Sequence, residues 1–152
     1  LDGVEIRVVA YDHPDSVALI EEVQQEYVVR YGGPDSTPVD PAEFAPPLGL
    51  FLIGYVDGAP VACGGWRVQG DGVVELKRMY VAPDARGRGL ARAILAELEL
   101  TAKRAGNAHL ILETGQVQPE AISLYRSSGY ADIPKFGYYK DSELSIHLGK
   151  SL

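Results

Sequence analysis

Arg86-Gly87-Arg88-Gly89 is the stretch of this 152-residue chain whose residue types and spacing best suit a charged ligand. It follows Val73 to Val81, a run of β-branched and large apolar residues that reads as a strand and is broken by Pro83 and Asp84. It precedes apolar residues at helical spacing: Leu90, Ile94 and Leu98, with Ala91, Leu95 and Ala102 beside them. A glycine-rich turn that opens a helix is an anion site in outline. The first N–H groups of the helix have no internal acceptor, and the dipole places positive potential there. Glycine lets a diphosphate approach the backbone, and Arg86, Arg88 and Arg92 add mobile charge. A solvated turn with ordinary surface arginines reads equally well from these residues alone. No G-x-x-x-x-G-K-[ST] and no G-x-G-x-x-G is present, so neither common nucleotide loop applies.

Other reactive residue types give weaker signals. Cys63 stands alone in an apolar strand pattern, where a cysteine packs as core. The three histidines, His13, His109 and His147, show no ligand spacing, so no metal is expected. A single cysteine excludes an internal disulfide and suits a reducing cytoplasm. No apolar run approaches the length of a membrane span, and no signal-peptide pattern is visible. The net charge is -7, yet Lys77 to Arg104 holds seven basic and three acidic side chains. A local basic island on an acidic chain suits a compact polyphosphate. It argues against nucleic acid, which favours a broad basic face. The acidic remainder favours a cationic or amine substrate by long-range attraction, or serves solubility alone.

The elements that must position these residues follow in order. Val4 to Tyr11 reads as a strand. Asp12 or His13 caps a helix with Pro14 in its first turn, the apolar stripe Val17, Ile20, Val23, Tyr27 and Tyr31, and a stop at Gly32-Gly33-Pro34. A proline-rich loop with a short helix near Asp40 to Phe44 comes next. Leu50 to Val56, the turn Asp57-Gly58 and Pro60 to Val68 form a hairpin, and Gly70-Asp71-Gly72 leads into Val73 to Val81. After the Leu90 helix, His109 to Glu113 is a strongly apolar strand. Strand, helix, strand implies parallel pairing. A helix from Pro119, a strand from Tyr130 to Ile133, an aromatic loop Lys135 to Asp141, and a last strand Glu143 to Leu148 complete the chain. In that last strand Leu144, Ile146 and Leu148 point inward. The expectation is one α/β (α+β) domain over residues 1–152, with a mixed, mostly antiparallel, twisted sheet of about seven strands and helices on both faces.

Three stretches in order resemble the GNAT superfamily of acyl-CoA-dependent N-acyltransferases. Arg86 to Ala91 fits its Arg/Gln-x-x-Gly-x-Gly/Ala signature. Met79-Tyr80-Val81-Ala82-Pro83 is similar to the strand end that leads into it. Gln118 to Tyr130 resembles its second motif, a helix that carries a tyrosine and ends in Gly-aromatic.

The resemblance implies a splayed central strand pair, with the pantetheine arm of acetyl-CoA entering the gap like an added strand. Met79, Tyr80 and Val81 would pair with its amides. Arg86, Gly87, Arg88, Gly89, Leu90 and Ala91 would hold the diphosphate, with Gln118 also on the cofactor side. Tyr125 stands where the family places a general acid for the leaving thiolate. Glu75 and Glu113 are candidate general bases for the attacking amine. Arg30, Tyr31 and Asp35 fall in the region that lines the acceptor cleft in the family. The implied activity is acetyl transfer from acetyl-CoA to a primary amine of a small molecule, or of a peptide, in a cytoplasmic enzyme without metal, nucleic-acid or membrane partner. The resemblance leaves a homodimer open. A CoA-binding regulatory module without chemistry, or an unrelated phosphate or nucleic-acid binder, remain as other classes.

Overall fold

A computed structural model describes residues 3–152. The elements run β1 (Val4–Val8), α1 (Pro14–Tyr31), a 3-10 turn (Pro41–Phe44), β2 (Gly49–Val56), β3 (Ala59–Gly70), β4 (Val73–Val81), a second 3-10 turn (Pro83–Ala85), α2 (Leu90–Arg104), β5 (His109–Gly115), α3 (Pro119–Ser127), β6 (Ala131–Asp132) and β7 (Ser145–Ser151). All seven strands join one sheet in the order β1-β2-β3-β4-β5-β7-β6. Among the described residues only β4 and β5 pair in parallel, joined by the α2 crossover. The other pairs are antiparallel. The mixed sheet expected from the sequence is therefore present.

Both faces are covered, which explains why β2 reads as an unbroken apolar run. Leu50 and Leu52 face the layer of α2 and α3, with Ile94, Leu98, Leu110, Leu112 and Leu148. Phe51 and Ile53 face α1, with Leu19, Val23 and Phe44. Asp57 and Gly58 both take positive φ, as a two-residue hairpin turn requires.

Four local expectations need correction. The first strand stops at Val8, and Tyr11 leaves it to stack on Phe44 with ring centroids 4.7 Å apart. The inner stripe of α1 is Ser16, Leu19 and Val23, while Val17 is 50% exposed. The His13 ring caps the helix through Nδ1, which accepts from Asp15 N–H at 3.0 Å, and Ser16 Oγ donates to Ala10 O at 2.7 Å. Those two bonds set the rotation of a helix whose valines occur on every side. The sixth strand has two residues, not four. The seventh begins at Ser145, so Leu144 lies outside it and is half exposed, although Ile146 and Leu148 do pack inward.

The face toward α1 also buries a charged group. Arg67 donates from Nε to Glu75 Oε1 at 3.1 Å and from Nη1 to Glu43 Oε1 at 3.1 Å, and it also bonds Pro38 O. The Arg67 and Glu75 side chains are 9% and 7% exposed. Arg67→Leu would leave Glu75 buried without its partner. It is expected to lower the unfolding free energy by about 3–5 kcal/mol in a denaturant titration.

Candidate active site

Strands β4 and β5 pair only from Val73 with His109 to Glu75 with Ile111. Beyond Glu75 the β5-facing edge of β4 has no strand partner among the described residues. The gap opens into a cavity of about 410 Å³. Its walls come from α1 and the loop after it (Tyr27, Tyr31, Asp35), from β4 (Lys77, Arg78, Met79), from β5 (Glu113) and from α3 (Tyr125). The aromatic loop roofs it with Tyr138 and Tyr139. The Tyr139 hydroxyl accepts from Ser36 N–H at 2.8 Å, tying that roof to the loop after α1.

A bulge shapes the β4 wall. Cys63 pairs with Tyr80 and Gly65 with Lys77, so Arg78 and Met79 together oppose Gly64. Arg78 sits at φ +61°, unusual for a residue with a side chain. The bulge breaks the strand's alternation and turns Lys77 and Arg78 to the same side. Both meet Asp35, whose Oδ2 accepts from Lys77 Nζ at 2.7 Å and from Arg78 Nη1 at 2.6 Å. Its Oδ1 accepts from Thr37 N–H at 3.0 Å and from the Thr37 hydroxyl at 2.7 Å. Burial alone would raise the Asp35 carboxyl; the two cations and these bonds outweigh it and hold the group well below the usual carboxylate range.

Glu113 lies two residues past Ile111, as Lys77 lies two past Glu75, so they stand level across the gap. The Glu113 carboxyl has no hydrogen bond among the described residues. Burial pushes its pKa up to about 7; Lys77 opposes the rise, and the Asp35 and Glu75 charges add to it. A carboxylate tuned to neutrality in a cavity is matched to taking a proton. Tyr125 is 4% exposed, packs edge-on to Tyr130, and has no hydrogen bond to its hydroxyl among the described residues. Burial, then the Glu113 charge, raises this phenol above its ordinary value, so it stays protonated at neutral pH.

The basic turn lies at the start of α2. Gly87 and Gly89 take φ +81° and +78°, and nothing lies within 4 Å of where a Cβ would stand on either. The first α2 bond is Ala93 N–H to Gly89 O at 3.0 Å, so the N–H groups of Leu90 and Ala91 have no acceptor within the helix. Open space, free N–H groups and two glycines fit a diphosphate. The arginines differ from one another. Arg86 pairs with Glu26 and donates to Val81 O at 2.9 Å. Arg92 reaches Ser127 and Ser128 on α3. Arg88 is exposed and pairs with no carboxylate among the described residues.

The structure gathers part of the residue set expected from sequence. Met79, Glu113, Gln118, Tyr125, Tyr31 and Asp35 line one cavity. Glu75 does not line it and is engaged by Arg67. Arg30 lies outside it; it pairs with Glu120 and donates to Val117 O at 2.9 Å, strapping α1 to the start of α3. Tyr80 faces α1 and donates to Glu22 Oε1 at 3.1 Å. Tyr31 donates to Gln118 Oε1 at 2.9 Å, and its ring passes so close to Gly115 that a Cβ there would collide with it. Sequence reading missed Lys77, Arg78, Tyr27, Tyr138 and Tyr139 as wall residues. One signal was present: adjacent cations inside an apolar strand point to opposite faces, and cannot both reach one carboxylate unless the alternation is broken.

A family model described as Acetyltransferase (GNAT) family matches residues 17–130. An IAA acetyltransferase from Azospirillum brasilense is 37% identical over 137 residues, covering 90% of each chain. A crystal structure from Klebsiella pneumoniae, classed as an acyl-CoA N-acyltransferase, superposes with a TM-score of 0.81 at 30% identity, over 98% of this chain and 97% of that one. A GNAT family acetyltransferase from Elizabethkingia anophelis, solved with acetyl-CoA bound, has the same fold at a TM-score of 0.72 and 16% identity over the whole of both chains.

Proposed function

The chain belongs to the GNAT acetyltransferase family, and from that premise we propose that it moves an acetyl group from acetyl-CoA to a primary amine of a small molecule in one ternary complex. The observation that carries this reading is the placement of Glu113 and Tyr125 on one cavity. Both line the cavity in the β4–β5 gap, and neither has a hydrogen-bond partner among the described residues.

Bound acetyl-CoA would supply the activated acetyl group as a thioester. The β4 edge at Met79 to Val81, where Val81 O already accepts from Arg86, receives the pantetheine arm, and Gly87 to Ala91 with Arg88 receive the diphosphate. The amine arrives protonated at neutral pH. Glu113 takes one proton and leaves a lone pair for attack. Backbone N–H groups on the open β4 edge stabilise charge developing on the carbonyl oxygen. The N–C bond forms as the C–S bond breaks, and Tyr125 gives its proton to the departing sulfur. The nitrogen's second proton restores the phenol, so the reaction releases one proton per amide. Burial in the same cavity also makes the thiolate a stronger base, which offsets the raised phenol pKa.

The test is release of free CoA thiol across an amine panel, with mass spectrometry of the acetylated product. Acetyl-CoA binding with no turnover of any amine would return the chain to a regulatory module. The cofactor side has its own expected result. Gly89→Asp places a carboxylate where the diphosphate belongs, and nothing crowds the new Cβ. Aspartate tolerates left-handed φ, so the fold should persist. Acetyl-CoA affinity is expected to fall about tenfold or more, equivalent to roughly 1.4 kcal/mol, by calorimetric titration.

A further inference from the structure

We propose that the acceptor is an amino acid whose carboxylate is held by Lys77 and Arg78 while its ammonium group faces Glu113. The inference rests on the acetyltransfer reading above and names the substrate class of that site.

On the β4 side of the cavity two cations face one carboxylate. The Lys77 and Arg78 side chains are 6% and 4% exposed and share one carboxylate, Asp35. Both Asp35 oxygens already accept two hydrogen bonds. Asp35 is thus an organiser of the cations and has little capacity left for a substrate ammonium. Arg78 donates from Nη1 to Asp35 and from Nε to the Tyr11 hydroxyl at 3.3 Å, which leaves Nη2 without a protein partner among the described residues. No buried side-chain nitrogen or oxygen is sealed off without a partner among those residues, so Nη2 is not fully enclosed by protein. The space that Arg78 lines is the cavity. Lys77 Nζ, bonded to Asp35 and at 3.3 Å to the Thr37 hydroxyl, keeps one N–H free. Neighbouring Arg67 is matched by Glu75 inside and by the more exposed Glu43, so it neither adds to this surplus nor reaches the cavity.

A buried, incompletely paired cation is costly, and an anionic ligand group relieves that cost. Across the gap stands Glu113, level with Lys77. Cations on one wall and a carboxylate on the other match the two ends of a zwitterion. The same layout disfavours polyamines and aminoglycosides, whose extra ammonium groups would meet Lys77 and Arg78. The rest of the wall includes Tyr27, Tyr31, Tyr138, Tyr139 and Leu144, which offer apolar surface to an aromatic or aliphatic side chain, beside the polar Ser36, Gln118 and Ser142.

The experiment compares kcat/KM for L-phenylalanine, L-tyrosine and L-leucine with their decarboxylated amines, using CoA thiol release and mass spectrometry. Each amino acid is expected to exceed its amine by about tenfold or more. In Lys77→Gln, checked for folding by circular dichroism, that ratio is expected to collapse toward one. Taking a ratio removes any general effect of the substitution on turnover. Acetylation of the bare amines at equal or higher kcat/KM overturns the carboxylate assignment while leaving amine acetyltransfer intact. A preference undiminished in Lys77→Gln overturns it as well. Release of CoA with none of these six compounds overturns this inference, and only the same silence across the wider amine panel overturns the acetyltransfer reading.

Discussion

Glu113→Gln is expected to lower kcat/KM for the amine about 10²-fold or more at pH 8 and to change the shape of the pH profile. Glutamine keeps the size and polarity of the side chain and cannot accept the proton. In the native enzyme the base works only when ionised. Burial raises the Glu113 pKa to about 7, so activity should climb as the pH rises through that value. In Glu113→Gln that step should vanish, leaving only the rise from ionisation of the amine itself. A variant with the native profile would remove Glu113 from proton transfer. Stability should move the other way. A carboxyl whose pKa is raised on folding contributes stability below its unfolded value and loses it as pH climbs through the folded one. Native Glu113 therefore weakens the fold above pH about 7, and Glu113→Gln is expected to have the higher Tm at pH 8, with little difference at pH 5. Lower activity together with higher stability at pH 8 is the signature of a buried catalytic carboxylate, since a structural one would lose stability when replaced.

Tyr125→Phe is expected to lower kcat roughly 10²-fold while acetyl-CoA affinity persists. The hydroxyl has no partner among the described residues, so its removal breaks no hydrogen bond there and leaves the ring against Tyr130. Loss of packing therefore cannot account for a large effect. The fall should appear in kcat and kcat/KM together, because the proton moves only as the C–S bond breaks. Comparison with a thioester of lower leaving-group pKa sharpens the test: the variant should recover part of its rate when the sulfur needs less help. Near-native kcat on the true acceptor would make Tyr125 a packing residue of α3.

Much of the architecture was readable because it depends on local order. The β-branched run of β4, the glycine turn and the 3.6-residue period of α2 are neighbours in sequence, and the strand–helix–strand order leaves few topologies. The inner face of α1 was not readable. Valines at 17, 23, 28 and 29 point in several directions, and the capping bonds of His13 and Ser16 decide which face turns inward. Leu144 was misplaced because alternation alone cannot say where a strand begins.

The candidate site divides in the same way. Sequence by itself determined that Tyr125 begins the last turn of a helix after a parallel crossover, that Glu75 and Glu113 lie on adjacent strands, and that two glycines open α2. Only the tertiary structure separated the two carboxylates. Glu75 meets Arg67, which arrives from β3, whereas Glu113 meets a cavity. Only the tertiary structure joined Asp35, some forty residues upstream, to Lys77 and Arg78, and only the bulge set both cations on one side. The physical reason is that alternation, period and capping are properties of neighbouring residues. Burial, charge pairing and a one-residue slip in a strand depend on what the rest of the chain brings alongside.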